Sequence, residues 1–106
     1  MGLFDFLRPA DINAGLREYR AAEGALLLDV RTAEEYAAGR VPGSVNLPLS
    51  DIASAPDVAP ERTQPIFVYC HSGARSTRAA AALEKMGYTQ VKNIGGIAAY
   101  HGEVER

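Results

Sequence analysis

The stretch IFVYCHSGAR, residues 66–75, decides the fold class. Its first half, IFVYC, is rich in β-branched and aromatic residues, which is typical of a buried strand. That predicted strand ends on Cys70, and the remaining letters lead into an alanine-rich stretch over residues 76–86 that contains no proline or glycine. Such a stretch predicts a helix, and Gly87 is well placed to end it. The sequence therefore predicts a strand, a tight loop and a helix, with Cys70 at the strand's carboxyl end.

The same alternation extends outward from this unit in both directions. Asp11 is a suitable N-cap for a first helix, and Thr32 with Glu35 forms a capping-box signature for a second. Strands that alternate with helices indicate an α/β fold with a mostly parallel sheet, and right-handed crossovers place helices on both faces. The further predicted strands are residues 25–30, 45–47 and 91–94, and the further predicted helices are residues 12–22, 33–38, a short segment after Ser50 and a short segment near residues 97–100.

Composition narrows the possible functions. A chain of 106 residues, 47% hydrophobic and 23% charged, fits one domain with one core. Its net charge of -2 is spread over both signs, so the basic surface of a nucleic-acid-binding protein is not expected. Cys70 is the only cysteine and cannot form an internal disulfide, and His71 and His101 are too few and too far apart for a zinc site. We therefore expect no metal and no nucleic-acid partner.

The first nine residues differ from the rest of the chain. They are apolar, carry Asp5 and lack a basic leader, a pattern that fits neither a signal peptide nor a membrane span. We expect an N-terminal arm over residues 1–9 and one domain over residues 10–106. The arm either folds back on the domain or makes a docking or dimer contact. The expected location is the cytoplasm, with no membrane partner.

Cys70 is the residue that this arrangement marks for chemistry. In open α/β sheets, functional sites lie outside the carboxyl ends of the strands. The loop after Cys70 has Gly73 at its middle, so its N–H groups can point at one spot and bind an anion together with the first turn of the following helix. These donors and Arg75 favour the thiolate, which is the nucleophilic form of cysteine. The planar fork of Arg75 also suits two oxygens of a bound anion.

The polar residues around Cys70 each allow a structural interpretation beside a functional one. We expect His71 to be a wall residue or a substrate contact rather than a proton carrier, because a side chain next to the nucleophile in a tight loop usually points away. Ser76 could donate to a bound anion or cap the helix. Arg78 could add positive potential or simply be an exposed helix residue. The predicted substrate-binding set is the loop itself: His71, Ser72, Gly73, Ala74 and Arg75.

Two separated stretches resemble the rhodanese family of sulfurtransferases in its single-domain form. They are LDVRTAEEY at residues 28–36, continued by GRVPGSVNLP at residues 39–48, and YCHSGARS at residues 69–76. The likeness spans roughly residues 10–102 and keeps the order and spacing of both motifs. Arg40 stands where the family usually has histidine, and Tyr100 where it often has tryptophan. Both positions are interpreted as structural, so the expected chemistry is unchanged.

The resemblance implies a five-stranded parallel sheet flanked by helices, and a reaction in two steps that needs no cofactor. First, Cys70 attacks the outer sulfur of a small anionic donor such as thiosulfate and becomes a persulfide, cradled by the loop amides of residues 71–75. An external thiol or cyanide then removes that sulfur, since the chain has no second cysteine to do so. Asp29 and Arg31 are interpreted mainly as a buried pair that braces the site, with a direct substrate contact from Arg31 as the alternative.

Two other functions stay open at this stage. Cysteine-dependent phosphatases and arsenate reductases also surround an anion with a thiolate and an arginine. The phosphatase loop has five residues between the two, whereas four intervene between Cys70 and Arg75, which predicts a tighter cradle suited to a single sulfur. The other possibility is a rhodanese-fold binding or signalling module without catalysis. Because inactive members typically lose the cysteine, the presence of Cys70 favours an enzyme.

Overall fold

The computed structural model describes residues 10–106, and the expected N-terminal arm over residues 1–9 lies outside the described residues. Helices and strands alternate along the described chain, as the sequence pattern predicts. In chain order they are α1 (Ile12–Ala21), β1 (Leu26–Asp29), α2 (Ala33–Ala38), β2 (Val45–Asn46), a first 3₁₀ helix (Leu49–Ser54), α3 (Ala55–Val58), β3 (Ile66–Cys70), α4 (Ala74–Lys85), β4 (Val91–Gly96) and a second 3₁₀ helix (Ile97–Ala99).

The strands form one parallel sheet in the order β2-β1-β3-β4. Within residues 10–106 the sheet has four strands, so the expectation of five strands is wrong for this part of the chain. A further extended pairing in this range is an antiparallel bridge between Arg40 and Glu105 alone. It does not grow into a strand, because Pro42 follows closely and has no N–H to donate.

Local capping signals place the first two helices. The side chain of Asp11 accepts the N–H of Asn13 at 3.0 Å and caps α1. Helix α2 covers the predicted residues, and both hydrogen bonds of its capping box form between Thr32 and Glu35. These signals act within a few residues of each other, which is why the sequence alone locates both helix starts.

Helix α4 begins two residues earlier than predicted. Gly73 is its N-cap and has a φ of +106°, a left-handed conformation that turns the chain sharply from the loop into the helix. Ala74 and Arg75 therefore belong to the first turn of α4 rather than to a loop. The connection from strand to helix is shortened to His71, Ser72 and Gly73, which brings the helix N-terminus close to Cys70.

Side chains from successive strand residues pack on opposite faces of the sheet. Leu27, Phe67 and Tyr69 pack in a buried cluster with residues of α1, whereas Leu28, Val68 and Cys70 belong to a second buried cluster with residues of α4. Helices therefore cover both faces, as predicted. The Cys70 sulfur lies on the α4 face.

Candidate active site

The Cys70 sulfur is buried at the end of β3 among hydrogen-bond donors. Cys70 is 1% exposed, and its Sγ accepts the N–H of Gly73 at 3.0 Å and the N–H of Ser76 at 3.3 Å. Burial by itself raises the pKa of the Cys70 thiol, but hydrogen bonds from Ser76, Gly73 and the backbone of Arg75 lower it more, and the net pKa lies below the usual thiol value. The site therefore favours a thiolate, the form that acts as a nucleophile.

Further backbone donors lie in the chain segment that follows Cys70. Among the hydrogen bonds within residues 10–106, the N–H groups of Ser72 and Ala74 have no acceptor. Both residues flank Gly73 at the N-terminus of α4, where the helix dipole is positive. An anion attached to or bound beside the sulfur would meet donors that are already in place.

The loop rests on two glycines at the end of β4. The carbonyl of His71 accepts the N–H of Ala98 at 3.0 Å. A Cβ on Gly96 would overlap that same carbonyl oxygen, and Gly95 has a φ of +98°. In the sequence these residues are visible only as a glycine pair directly after a predicted strand. The packing shows that the pair lies against the loop that follows Cys70.

The side chain of Arg75 reaches across to α2. Its Nη1 and Nη2 donate to the two carboxylate oxygens of Glu35 at 2.7 and 2.9 Å. These bonds hold the pKa of the Glu35 carboxyl at about 2, well below its usual 4.5. The fork that was expected to hold two oxygens of a substrate anion is therefore bound to Glu35. The local sequence pattern indicates a capping-box role for Glu35 and gives no sign of this ion pair.

Asp29 and Arg31 form the buried brace that the sequence predicts. Arg31 donates from Nε and Nη2 to the carboxylate of Asp29 at 2.7 to 3.1 Å, and Nη2 also donates to the carbonyl of Gly39 at 2.7 Å. Both residues are buried. With its guanidinium engaged in this way, Arg31 fits the bracing role rather than a substrate contact.

The remaining predicted residues lie at different depths. Ser76 is fully buried, its hydroxyl oxygen 3.5 Å from the Cys70 sulfur and 2.7 Å from Oδ1 of Asn93. His71, Ser72 and Arg78 are exposed. The structure therefore brings Ser76 to the Cys70 sulfur and adds Asn93. No local pattern points to Asn93, because it lies 17 residues beyond Ser76 in the chain.

The buried Cys70 thus lies at the carboxyl end of β3, a central strand of a parallel sheet with helices on both faces. The sequence profile of the Rhodanese-like domain family matches residues 13–103, and the chain belongs to that family. The predicted resemblance is thereby confirmed.

Similar proteins agree with this assignment. The thiosulfate sulfurtransferase PspE of Escherichia coli (strain K12) is 38% identical over 71 residues, which cover 66% of this chain and 68% of that protein. The thiosulfate:glutathione sulfurtransferase of Homo sapiens is 33% identical over 94 residues, covering 76% and 82%. A solved structure of rhodanese with anions from E. coli superposes with a TM-score of 0.72 at 31% identity, over 77% of this chain and 98% of that one. The relatives thus support sulfurtransferase activity.

No helix within residues 10–106 has both the length and the apolar character needed to cross a membrane.

Proposed function

We propose that the chain is a sulfurtransferase that moves a sulfane sulfur from a small anionic donor such as thiosulfate to an external thiol or to cyanide, through a persulfide on Cys70. The observation that carries this proposal is the buried Cys70 sulfur, which accepts the N–H groups of Gly73 and Ser76 at the N-terminus of α4. Thiosulfate and glutathione appear in the names of the relatives above, which supports them as donor and acceptor here. The proposed location is the cytoplasm, where thiols are kept reduced.

In the first step, the Cys70 thiolate attacks the outer sulfur of thiosulfate. A sulfur–sulfur bond forms as the sulfur–sulfur bond of the donor breaks, and sulfite leaves with the electron pair. The negative charge of the resulting persulfide is on its outer sulfur. The proposed cradle for that charge is the backbone of residues 71–75. The N–H of Gly73 already donates to the sulfur, and the N–H groups of its neighbours Ser72 and Ala74 have no acceptor in the described chain.

In the second step, an acceptor thiolate or cyanide attacks the outer sulfur, and Cys70 leaves as a thiolate. The hydrogen bonds that favour the thiolate of the free enzyme also stabilise it as a leaving group. Since the sequence has no second cysteine, the acceptor is another molecule.

The ion pair between Arg75 and Glu35 favours sulfur transfer over phosphate chemistry. A phosphatase of this kind uses the arginine fork to hold the oxygens of a tetrahedral phosphate. Here both arms of the fork donate to Glu35, and the connection from Cys70 to Arg75 is short. We expect no robust turnover of an aryl phosphate.

Mass spectrometry of the intact protein tests the proposal. After incubation with thiosulfate, we expect the mass of one sulfur atom to be added, and cyanide should remove it. Cys70→Ser should abolish the addition, while Ser54→Ala, at an exposed serine outside the site, should retain it. If no tested donor loads sulfur on a folded protein whose Cys70 is still alkylated by iodoacetamide, the proposal is wrong.

A further inference from the structure

A hydrogen-bond network, buried at Cys70 and Ser76 and part-buried at Asn93, connects the Cys70 sulfur to β4. The Ser76 hydroxyl oxygen lies 3.5 Å from the sulfur, 2.7 Å from Oδ1 of Asn93, 3.1 Å from the carbonyl oxygen of Gly73 and 3.3 Å from that of Gly95. A serine hydroxyl has one proton to donate. The short distance to Asn93 makes that side chain the nearest acceptor for the proton.

The orientation of the Asn93 amide is fixed by its other partners. Its Oδ1 accepts the N–H of Gly95 at 3.0 Å, and its Nδ2 donates to the hydroxyl of Thr77 at 2.9 Å. The Thr77 hydroxyl in turn donates to the carbonyl of Gly73 at 2.8 Å. Because a backbone N–H can only donate, the atom that faces Gly95 is the oxygen. The Ser76 hydroxyl faces the same oxygen, and in this contact it is the donor.

We propose that Asn93 competes with the Cys70 thiolate for the single hydroxyl proton of Ser76, and so sets the reactivity of the sulfur. In the thiol form, the S–H group donates to Ser76, and Ser76 donates to Asn93. In the thiolate form, the sulfur needs donors, and the Ser76 hydroxyl serves it only by turning away from Asn93. Ser76 contacts the reacting atom and is a catalytic residue, whereas Asn93 acts through Ser76 and is a positioning residue.

The same competition for the Ser76 proton applies to both steps of sulfur transfer, and this part of the inference rests on the proposed function. In the persulfide, the charge sits on the outer sulfur, and Sγ no longer needs the hydroxyl proton. Ser76 then donates to Asn93 again. When the acceptor takes the outer sulfur, charge returns to Sγ and the hydroxyl turns back to stabilise it. The hydroxyl thus follows the charge on Sγ through both steps.

The charged side chains near the Cys70 sulfur are paired with one another and do not take part in this network. On α4, Arg75 is bound to Glu35 of α2, and on β1, Asp29 is bound to Arg31. No hydrogen bond within residues 10–106 joins any of these four side chains to Ser76 or Asn93. Substitutions in the network therefore leave the charges around the site unchanged, unless they introduce a charge themselves.

The experiment measures the rate of iodoacetamide alkylation of Cys70 against pH in the full chain. Ser76→Ala removes a donor to the thiolate, so the profile should move to higher pH and alkylation at neutral pH should slow by about tenfold, since a hydrogen bond to a charged group changes an equilibrium by roughly that factor. Asn93→Ala removes the nearest competing acceptor and leaves the more distant carbonyls of Gly73 and Gly95, so it should move the profile to lower pH. Asn93→Asp keeps the acceptor and adds negative charge, and should move it to higher pH.

The double variant Ser76→Ala with Asn93→Ala tests whether Asn93 acts on the sulfur through Ser76. In a Ser76→Ala background, Asn93→Ala should change the profile very little, because the proton for which Asn93 competes is gone. A merely structural role for Asn93 predicts that Asn93→Ala moves the profile to higher pH, as any loosening of the cradle would. That outcome would overturn the proposal, as would an equal shift from Asn93→Ala with and without Ser76.

Folding of each variant is checked by circular dichroism. If Asn93→Ala does not fold, Asn93→Leu, which is close to asparagine in size and also lacks an acceptor, takes its place with the same expected direction. The alkylation profile needs no sulfur donor. A wrong proposal about Asn93 would therefore show in the alkylation profile, whereas a wrong proposed function would show in the sulfur-loading measurement.

Discussion

At the residue scale, Cys70 differs from an ordinary buried thiol through its neighbours. A buried cysteine in apolar surroundings has a raised pKa and is inert. Here the hydrogen bonds from the first turn of α4 outweigh the effect of burial on the pKa of Cys70. The pKa of Cys70 thus depends on the strand, loop and helix start around it. A substitution that moves these elements should change the reactivity of the thiol even when Cys70 itself is retained.

Gly96→Ala tests this dependence. A Cβ at position 96 would overlap the carbonyl of His71, so the loop must move, and overpacking of this kind destabilises a protein by about 1–3 kcal/mol. We expect a lower free energy of unfolding in urea together with slower alkylation of Cys70 at neutral pH, because the N–H groups no longer converge on the sulfur.

Gly24→Ala is the matched control for that substitution. Gly24 has a positive φ of +72°, whereas the backbone of Gly96 is extended. Apart from its chain neighbours, a Cβ on Gly24 meets no atom of the described chain within 4 Å. The variant should lose about 1–2 kcal/mol through backbone strain and leave the alkylation rate unchanged. Equal alkylation rates in both variants would contradict the supporting role of Gly96.

At the element scale, Glu35 has two functions on α2. Its carboxylate completes the capping box with Thr32, and it also binds Arg75 at the start of α4. Glutamine can replace glutamate in a capping box but cannot form the ion pair. Glu35→Gln should therefore remove the ion pair between α2 and α4 while it keeps the capping box of α2.

The contribution of the ion pair between Glu35 and Arg75 should make the stability of the protein depend on pH. Glu35 titrates near 4.5 when unpaired and at about 2 in the folded chain. A lowered folded pKa stabilises the protein fully above the unfolded pKa, and the contribution is lost as the pH falls from about 4.5 through 2. We expect Glu35→Gln to destabilise the protein at neutral pH but to have little effect near pH 2, as measured by urea unfolding at both pH values.

An exposed ion pair provides the comparison for this measurement. Lys92 binds Glu18, and both side chains are about half exposed. Exposed pairs of this kind contribute roughly 0–1 kcal/mol. Glu18→Gln should therefore change stability less than Glu35→Gln at neutral pH. If Glu35→Gln has the same effect at both pH values, the ion pair with Arg75 does not contribute to folding.

At the scale of the whole molecule, stability depends on both faces of the sheet. Leu27 and Leu28 are adjacent and fully buried, but they belong to different clusters, one with residues of α1 and the other with residues of α4. We expect Leu27→Ala and Leu28→Ala each to lower the free energy of unfolding by about 2–5 kcal/mol in urea titrations. A near-zero effect of either substitution would mean that its face does not form a packed core in solution.

The sequence alone determined the elements whose signals lie within a few residues. The composition of residues 66–70 predicts β3, and the Thr32–Glu35 capping box predicts α2 with its observed bounds. The sequence also predicts that Cys70 ends a strand and lies just before a helix. Each of these features depends on local backbone preferences, which act before any distant part of the chain is in place.

Only the tertiary structure decided which distant side chains meet. Four strands, rather than five, form the sheet of residues 10–106, and the early start of α4 places Arg75 where it binds Glu35, 40 residues away. The register of β4 against β3 brings Asn93 to Ser76 and Gly96 to the loop. A polar residue in a sequence has many possible partners, and its choice is fixed only when strands pair and helices pack. The sequence therefore predicts which sulfur reacts, and the fold decides which groups surround that sulfur.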